Sequence, residues 1–282
     1  MEHHFYQRDL LGIKIYDTTK KEIVGILDDR IKTGKKTTIF GVSAGAYGRL
    51  KFRPDLYGIY KQMDILIAEG AGIPLLAKFF GIKITEKIGL VNLTNSLLEL
   101  ANKNSYKIMF FGATAGVNNS VSDKIKETFP NIKVCDGVDG YFNENEIPDI
   151  IQKINECNPD ILFIGITYPI KERFTIKYKD ELNTKLIVPC GGAFDIIAGK
   201  TKRLKEISKF LPIAWLIRFI QEPIRLFKPV LITVIYSVFW VFPRLLIKHH
   251  SGAKNPSIAN FFNIDERAWD PTTDPIKNHC EH

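Results

Sequence analysis

The chain has 282 residues, of which 45% are apolar and 25% charged, and a formal net charge of +8. That is enough for one large α/β domain or two small ones, and the composition is that of a globular protein with a sizeable core. Four scattered cysteines (Cys135, Cys157, Cys190 and Cys280), with no C-x-x-C pair, argue against a disulfide framework or a zinc site and fit a reducing cytoplasm.

Met1-Glu2-His3-His4 is polar and no long apolar run follows it, so no secretory leader is expected. From there to about residue 200, short apolar runs alternate with helical patterns. Strands are predicted at Thr37–Val42, Ile65–Ala68, Lys107–Phe111, Lys133–Cys135, Ile161–Ile164 and Leu186–Val188. Helices are predicted at Leu93–Asn102, Val121–Phe129, Ile147–Asn158 and Lys171–Glu181. This alternation predicts an α/β fold with a doubly wound, mostly parallel sheet.

Ligands of such sheets sit at the carboxyl ends of the strands. Small and polar residues gather at four of these ends: Glu69–Gly72, Gly112–Gly116, Gly165–Pro169 and Gly191-Gly192. The last pair lets backbone amides approach a ligand closely, since glycine has no Cβ to clash.

Beyond this region the character changes. Between Gly199 and Lys228 stand eight Lys or Arg residues against Glu206 and Glu222. Arg218, Gln221, Arg225 and Lys228 recur at helical spacing, opposite Leu216, Phe219, Ile220 and Pro223, a basic amphipathic pattern. An uncharged run of 14 residues, Pro229–Phe242, follows. It is short of the roughly 20 residues a spanning helix needs. Its basic and aromatic neighbours suit a segment in the cytoplasmic leaflet, with a buried core helix as the alternative. From Ser251 on, the composition is that of a loosely ordered polar tail. His279, Cys280 and His282 are read as part of that terminus and not as a metal site. Three regions are therefore expected: a catalytic domain over 1–208, a membrane-associating appendage over 209–250 and a tail over 251–282.

Seven ordered motifs give these patterns a family resemblance. They are Ala68–Gly72 (A-D-G-x-G in the family), Gly112–Gly116, Gly140-Tyr141-Phe142, Ile154–Asp160, Gly165–Glu172, Gly191–Arg203 (G-G-A-F-D-x-x-A-G-K-x-x-R) and Trp215–Leu226 (W-L-x-R-x-x-Q-E-P-x-R-L). The chain resembles the WecG/TagA/CpsF glycosyltransferases from about residue 10 to 228. The resemblance implies a Rossmann-like domain and an inverting transfer of sugar from a UDP-sugar donor to a polyprenyl-diphosphate-linked saccharide. No catalytic metal or other cofactor is implied, and the sequence has no D-x-D pair at a strand end. Expected partners are the donor, the lipid-linked acceptor and the inner membrane surface. Nucleic acid is not expected, because the basic segment carries aliphatic residues in place of stacking aromatics. Whether the chain forms a homo-oligomer is left open.

Four positions depart from the family pattern. Glu69 replaces Asp, Lys87 replaces Arg, Asn92 replaces Asp, and the T-x-N near the first predicted strand is not recognisable in Gly41–Gly45. An inverting transfer needs a carboxylate to take the acceptor's proton, which makes Glu69 the expected base, with Lys87 as a catalytic cation. Thr114, Gly116, Gly165, Tyr168, Glu172, Gly191, Gly192 and Asp195 are the expected donor contacts. For several of them a purely structural role competes: the glycines as turns, Asp195 as a cap on a helix beginning near Ile196. Arg203, Arg218, Gln221 and Arg225 are expected to bind the acceptor diphosphate. Cys190, with no histidine at a comparable strand end, is not expected to be a nucleophile. The rival readings are a nucleotide-sugar hydrolase or lyase on the same scaffold, and a non-catalytic UDP-sugar-binding subunit.

Overall fold

A computed structural model describes residues 6–50, 52–190, 192–199, 243, 257–262 and 264. The chain opens with an antiparallel hairpin, β1 (Tyr6–Leu10) and β2 (Ile13–Asp17). Its two-residue turn puts Leu11 and Gly12 at φ 56° and 86°, the left-handed pair that matches the twist of a hairpin. Helix α1 (Lys20–Lys32) follows, started by a reciprocal capping box between Thr19 and Glu22. Then come β3 (Thr37–Val42), α2 (Ala44–Arg49), α3 (Asp55–Gln62), β4 (Ile65–Ala68), α4 (Gly72–Phe79) and α5 (Leu90–Asn104). The second half runs β5 (Lys107–Gly112), α6 (Ala115–Thr128), β6 (Lys133–Val134), α7 (Ile147–Cys157), β7 (Ile161–Gly165), α8 (Ile170–Tyr178), β8 (Leu186–Pro189) and α9 (Ala193–Ile197). A last short helix, α10, spans Ile258–Phe262.

The strands form one eight-stranded sheet in the order β1-β2-β4-β3-β8-β7-β5-β6, parallel except for the β1–β2 pair. The expected doubly wound fold is therefore present. The central strands are apolar at nearly every position because helices cover both faces. Along β3, Ile39 packs with α1 and α5, while Phe40 and Val42 pack with α2, α3 and α4 on the opposite face. On that second face, Met109 and Phe111 of β5 and Leu162 and Ile164 of β7 bury against α7 and α8.

Sheet order creates the feature that positions the site. β3 pairs with β4 out to Val42↔Ala68, and β7 pairs with β8 out to Ile164↔Pro189. Between them, β3 and β8 are in register only at Thr37↔Leu186 and Thr38↔Ile187, near their amino ends. Their carboxyl ends diverge, and the sheet opens a crevice between its two halves.

Two expectations need correcting. Cys135 and Cys157, 22 residues apart, are joined by a disulfide between the end of β6 and the end of α7. Their wide spacing hid the pairing, because only the packing of α7 beside β6 brings them together. Cys190 is free and buried. The tail is also not wholly loose: Ile258, Ala259 and Phe262 of α10 are buried in the core cluster beneath the hairpin, and the Ile258 amide donates to the Leu11 carbonyl at 2.9 Å. A short apolar triplet in a polar stretch gave no periodic signal. The expected appendage over 209–250 lies outside the described residues, apart from Pro243.

Candidate active site

A cavity of about 180 Å³ fills the crevice between the carboxyl ends of β3 and β8. Glu69, Tyr168, Glu172 and Gly192 line it, as do Ser43, Arg49, Tyr60 and Lys171, which the sequence did not mark. Another, open hollow of about 650 Å³ lies along α7 and α8 and holds none of the sequence-derived site residues.

Glu69 follows the last residue of β4, held there by its amide donating to the Val42 carbonyl at 2.9 Å. Its side chain lies across β3 in space left by Gly41: a Cβ built on Gly41 would stand 2.6 Å from Glu69 Oε2. Opposite, the loop after β7 carries Tyr168, and α8 begins at once with Lys171 and Glu172 in its first turn. Glu172 is only 4% exposed; its Oε1 forms an ion pair with Lys171 Nζ at 2.6 Å, while its Oε2 is buried with no hydrogen-bond partner. Bracing α8 from below, Asp55 of α3 accepts from Arg53 (3.0 Å) and from Arg173 of α8 (2.9 Å).

The Tyr168 ring stacks against two cations, with Arg49 Cζ 4.2 Å and Lys171 Nζ 5.4 Å from its centroid. Its hydroxyl lies beside Arg49 without a well-formed hydrogen bond. Burial pushes the Tyr168 phenol up to about 12, opposed by the positive charge of Arg49 and reinforced by the negative charge of Glu172. The buried Tyr60 phenol is likewise pushed well up, by burial and then by Glu172. Both phenols therefore stay protonated near neutrality, with an O–H available to donate. Burial likewise pushes the Cys190 thiol well up, which keeps it a thiol and not a nucleophile.

The remaining expected residues stand elsewhere. Lys87 is exposed on the loop before α5. Thr114 caps α6, its hydroxyl accepting from the Val117 amide at 3.4 Å, and Gly116 lies exposed in the first turn of that helix. Both sit at the carboxyl end of β5, two strands away from the crevice. Gly165 is where the Phe194 ring packs, since a Cβ there would meet that ring at 2.6 Å. Asp195 lies inside α9, not at its start; Gly192 holds the cap position, which overturns the expectation of an Asp195 cap. The helix begins three residues earlier than expected because the glycine turn leads into it directly. Gly191, Arg203, Arg218, Gln221 and Arg225 lie outside the described residues. Among the described residues, no group of three or more His, Cys, Asp or Glu side chains is placed to hold a metal ion.

A family model matches residues 8–251. The chain belongs to the WecG/TagA/CpsF family of glycosyl transferases. As a member of that family it is an enzyme that transfers a sugar. Curated relatives share the domain at modest identity. One from Bacillus subtilis (strain 168) is 27% identical over 180 residues, covering 64% of this chain and 69% of the relative. One from Staphylococcus aureus (strain MRSA252) is 23% identical over 212 residues, covering 74% and 83%. Both are named N-acetylglucosaminyldiphosphoundecaprenol N-acetyl-beta-D-mannosaminyltransferase. Among the described residues of this glycosyl transferase, no helix is long and apolar enough to cross a membrane.

Proposed function

We propose that this chain moves a sugar from a UDP-sugar to a polyprenyl-diphosphate-linked saccharide in cell-envelope assembly, by inverting, metal-independent displacement. The observation that carries the reading is the convergence of two carboxylates, Glu69 and Glu172, from opposite halves of the sheet on one crevice at the strand ends. Ligand binding at that place follows from the topology of an open parallel sheet.

In this reading the acceptor hydroxyl lies against Glu69, which takes its proton as the oxygen attacks the anomeric carbon. The bond from that carbon to the UDP oxygen breaks on the opposite side. Glu172 Oε2, buried without a partner, accepts a hydroxyl or imide N–H of the donor. The donor's nucleotide runs over the β7 and β5 ends, past Gly165, Thr114 and Gly116. Leaving-group charge is met by protein cations and backbone amides, with Lys87 as a candidate, while Arg203, Arg218, Gln221 and Arg225 bind the acceptor diphosphate. The acceptor class is the one named in the relatives, N-acetylglucosaminyl-diphosphoundecaprenol, and such a lipid brings the enzyme to the inner face of the membrane.

The test is product analysis by mass spectrometry with a panel of UDP-sugars, with and without the lipid-linked acceptor. A lipid-linked disaccharide together with released UDP, formed only when lipid is present, supports transfer. Donor turnover at the same rate without lipid points instead to a hydrolase or lyase on this scaffold.

A further inference from the structure

Arg49, the last residue of α2, lines the cavity with its guanidinium over the Tyr168 ring at 4.2 Å. Its Nε is buried without a hydrogen-bond partner, and no carboxylate among the described residues forms an ion pair with it. The nearby Glu172 is already engaged by Lys171 at 2.6 Å. A guanidinium with no carboxylate partner among the described residues is costly to hold in a half-buried crevice, and an arriving anion offsets that cost. The group stands over the Tyr168 ring, and a planar fork suits a two-oxygen anion better than a point charge does.

We infer that Arg49 is a specificity-determining residue that binds an oxyanion of the sugar nucleotide: a phosphoryl group of its diphosphate or a carboxylate on its sugar. The inference rests on the reading of the crevice as the donor site. It adds a bidentate cation on the β3 side of the crevice, whereas Lys87 stands exposed on a loop outside it. The Tyr168 hydroxyl and Glu172 Oε2, carried by the β7 side of the crevice, are further buried polar atoms without hydrogen-bond partners, so both sides of the crevice present groups to a polar ligand.

The experiment measures binding of UDP, UDP-N-acetylglucosamine and UDP-N-acetylglucosaminuronate to the full chain and to its Arg49→Met, Arg49→Lys and Glu172→Gln variants. Arg49→Met removes the charge and the guanidinium donors and leaves an apolar side chain beside Tyr168. The expected result is a loss of about tenfold or more in affinity for at least one of the three ligands, only partly restored in Arg49→Lys. The melting temperature of the ligand-free protein should change little, because among the described residues only the contact of the guanidinium with the Tyr168 ring is lost. Equal losses for all three ligands assign the oxyanion to the diphosphate. A loss confined to the uronate assigns it to a sugar carboxylate. Affinities of Arg49→Met within about twofold of the parent for every ligand would overturn the inference. If Glu172→Gln still weakens binding, that failure belongs to Arg49 alone; if neither variant changes binding, the donor site itself is misplaced.

Discussion

Gly41 of β3 and Glu69 after β4 share one small volume: a methyl group on Gly41 would stand 2.6 Å from Glu69 Oε2 and 3.0 Å from Glu69 Cβ. The longer carboxylate of glutamate is thus accommodated by the absence of a side chain on the neighbouring strand. Gly41→Ala should push the carboxylate off its position. A displacement of about an ångström at a reacting group costs roughly a hundredfold in rate, so kcat should fall by about 10- to 100-fold with the fold intact. Adding Glu69→Asp, which vacates the contested space, should recover part of that loss. Steady-state kcat of the two single variants and the double variant checks the coupling; simply multiplicative losses would count against it.

Two glycines of one motif should behave oppositely. Gly112 has φ +137°, and a Cβ there would lie 2.4 Å from the Gly165 backbone. Gly112→Ala should therefore destabilise the domain by about 3 kcal/mol or more. Gly116 has nothing within 4 Å of its Cβ position and lies in the first turn of α6. Gly116→Ala should leave stability unchanged or raise it by up to about 1 kcal/mol. Urea denaturation measures both, and a loss of donor affinity in Gly116→Ala alone would mark a direct donor contact.

Asp55 ties α3 to α8 and so holds the wall that carries Lys171 and Glu172. Burial works to raise its carboxyl pKa, but hydrogen bonds from Arg53 and Arg173 outweigh it and hold the group below the usual carboxylate value. The sign follows: the contribution is complete above the unfolded pKa of about 3.9 and is lost as pH falls through the lower folded value. Asp55→Asn should lower stability at neutral pH by about 1–3 kcal/mol and flatten the acid limb below about pH 4. Melting temperatures from pH 2 to pH 7 for parent and variant provide the check.

The α10 helix packs Ile258, Ala259 and Phe262 beneath the hairpin. Phe262→Ala should cost about 3 kcal/mol, as expected for emptying a buried aromatic site. Urea titration tests this, and a change near zero would show that the segment does not dock in solution.

Much of the fold is readable in the sequence, and the reason is local. β3 and β4 match their predicted bounds because both faces of each are covered, leaving short runs with no charged residue. The β1–β2 hairpin escaped because β1 reads Tyr-Gln-Arg-Asp-Leu, with only Leu10 buried. Helix α1 had a usable signal, the Thr19-Lys20-Lys21-Glu22 capping box. The site was half legible. Glu69, Tyr168, Glu172 and Gly192 stand at strand ends, where a parallel sheet places its ligands. Arg49, Tyr60 and Lys171 reach the same cavity only because β8 inserts between β3 and β7, a neighbour relation that no local pattern encodes.

The most direct test of the account compares the parent protein with Glu69→Gln, using a UDP-sugar donor the parent accepts and N-acetylglucosaminyl-diphosphoundecaprenol. The variant keeps the shape of the side chain and loses its basicity. The account predicts donor affinity within about twofold of the parent and a rate of lipid-linked product lower by at least about a hundredfold. Product formed by Glu69→Gln at the parent rate would contradict it, and the proton acceptor would then have to be sought elsewhere in the crevice.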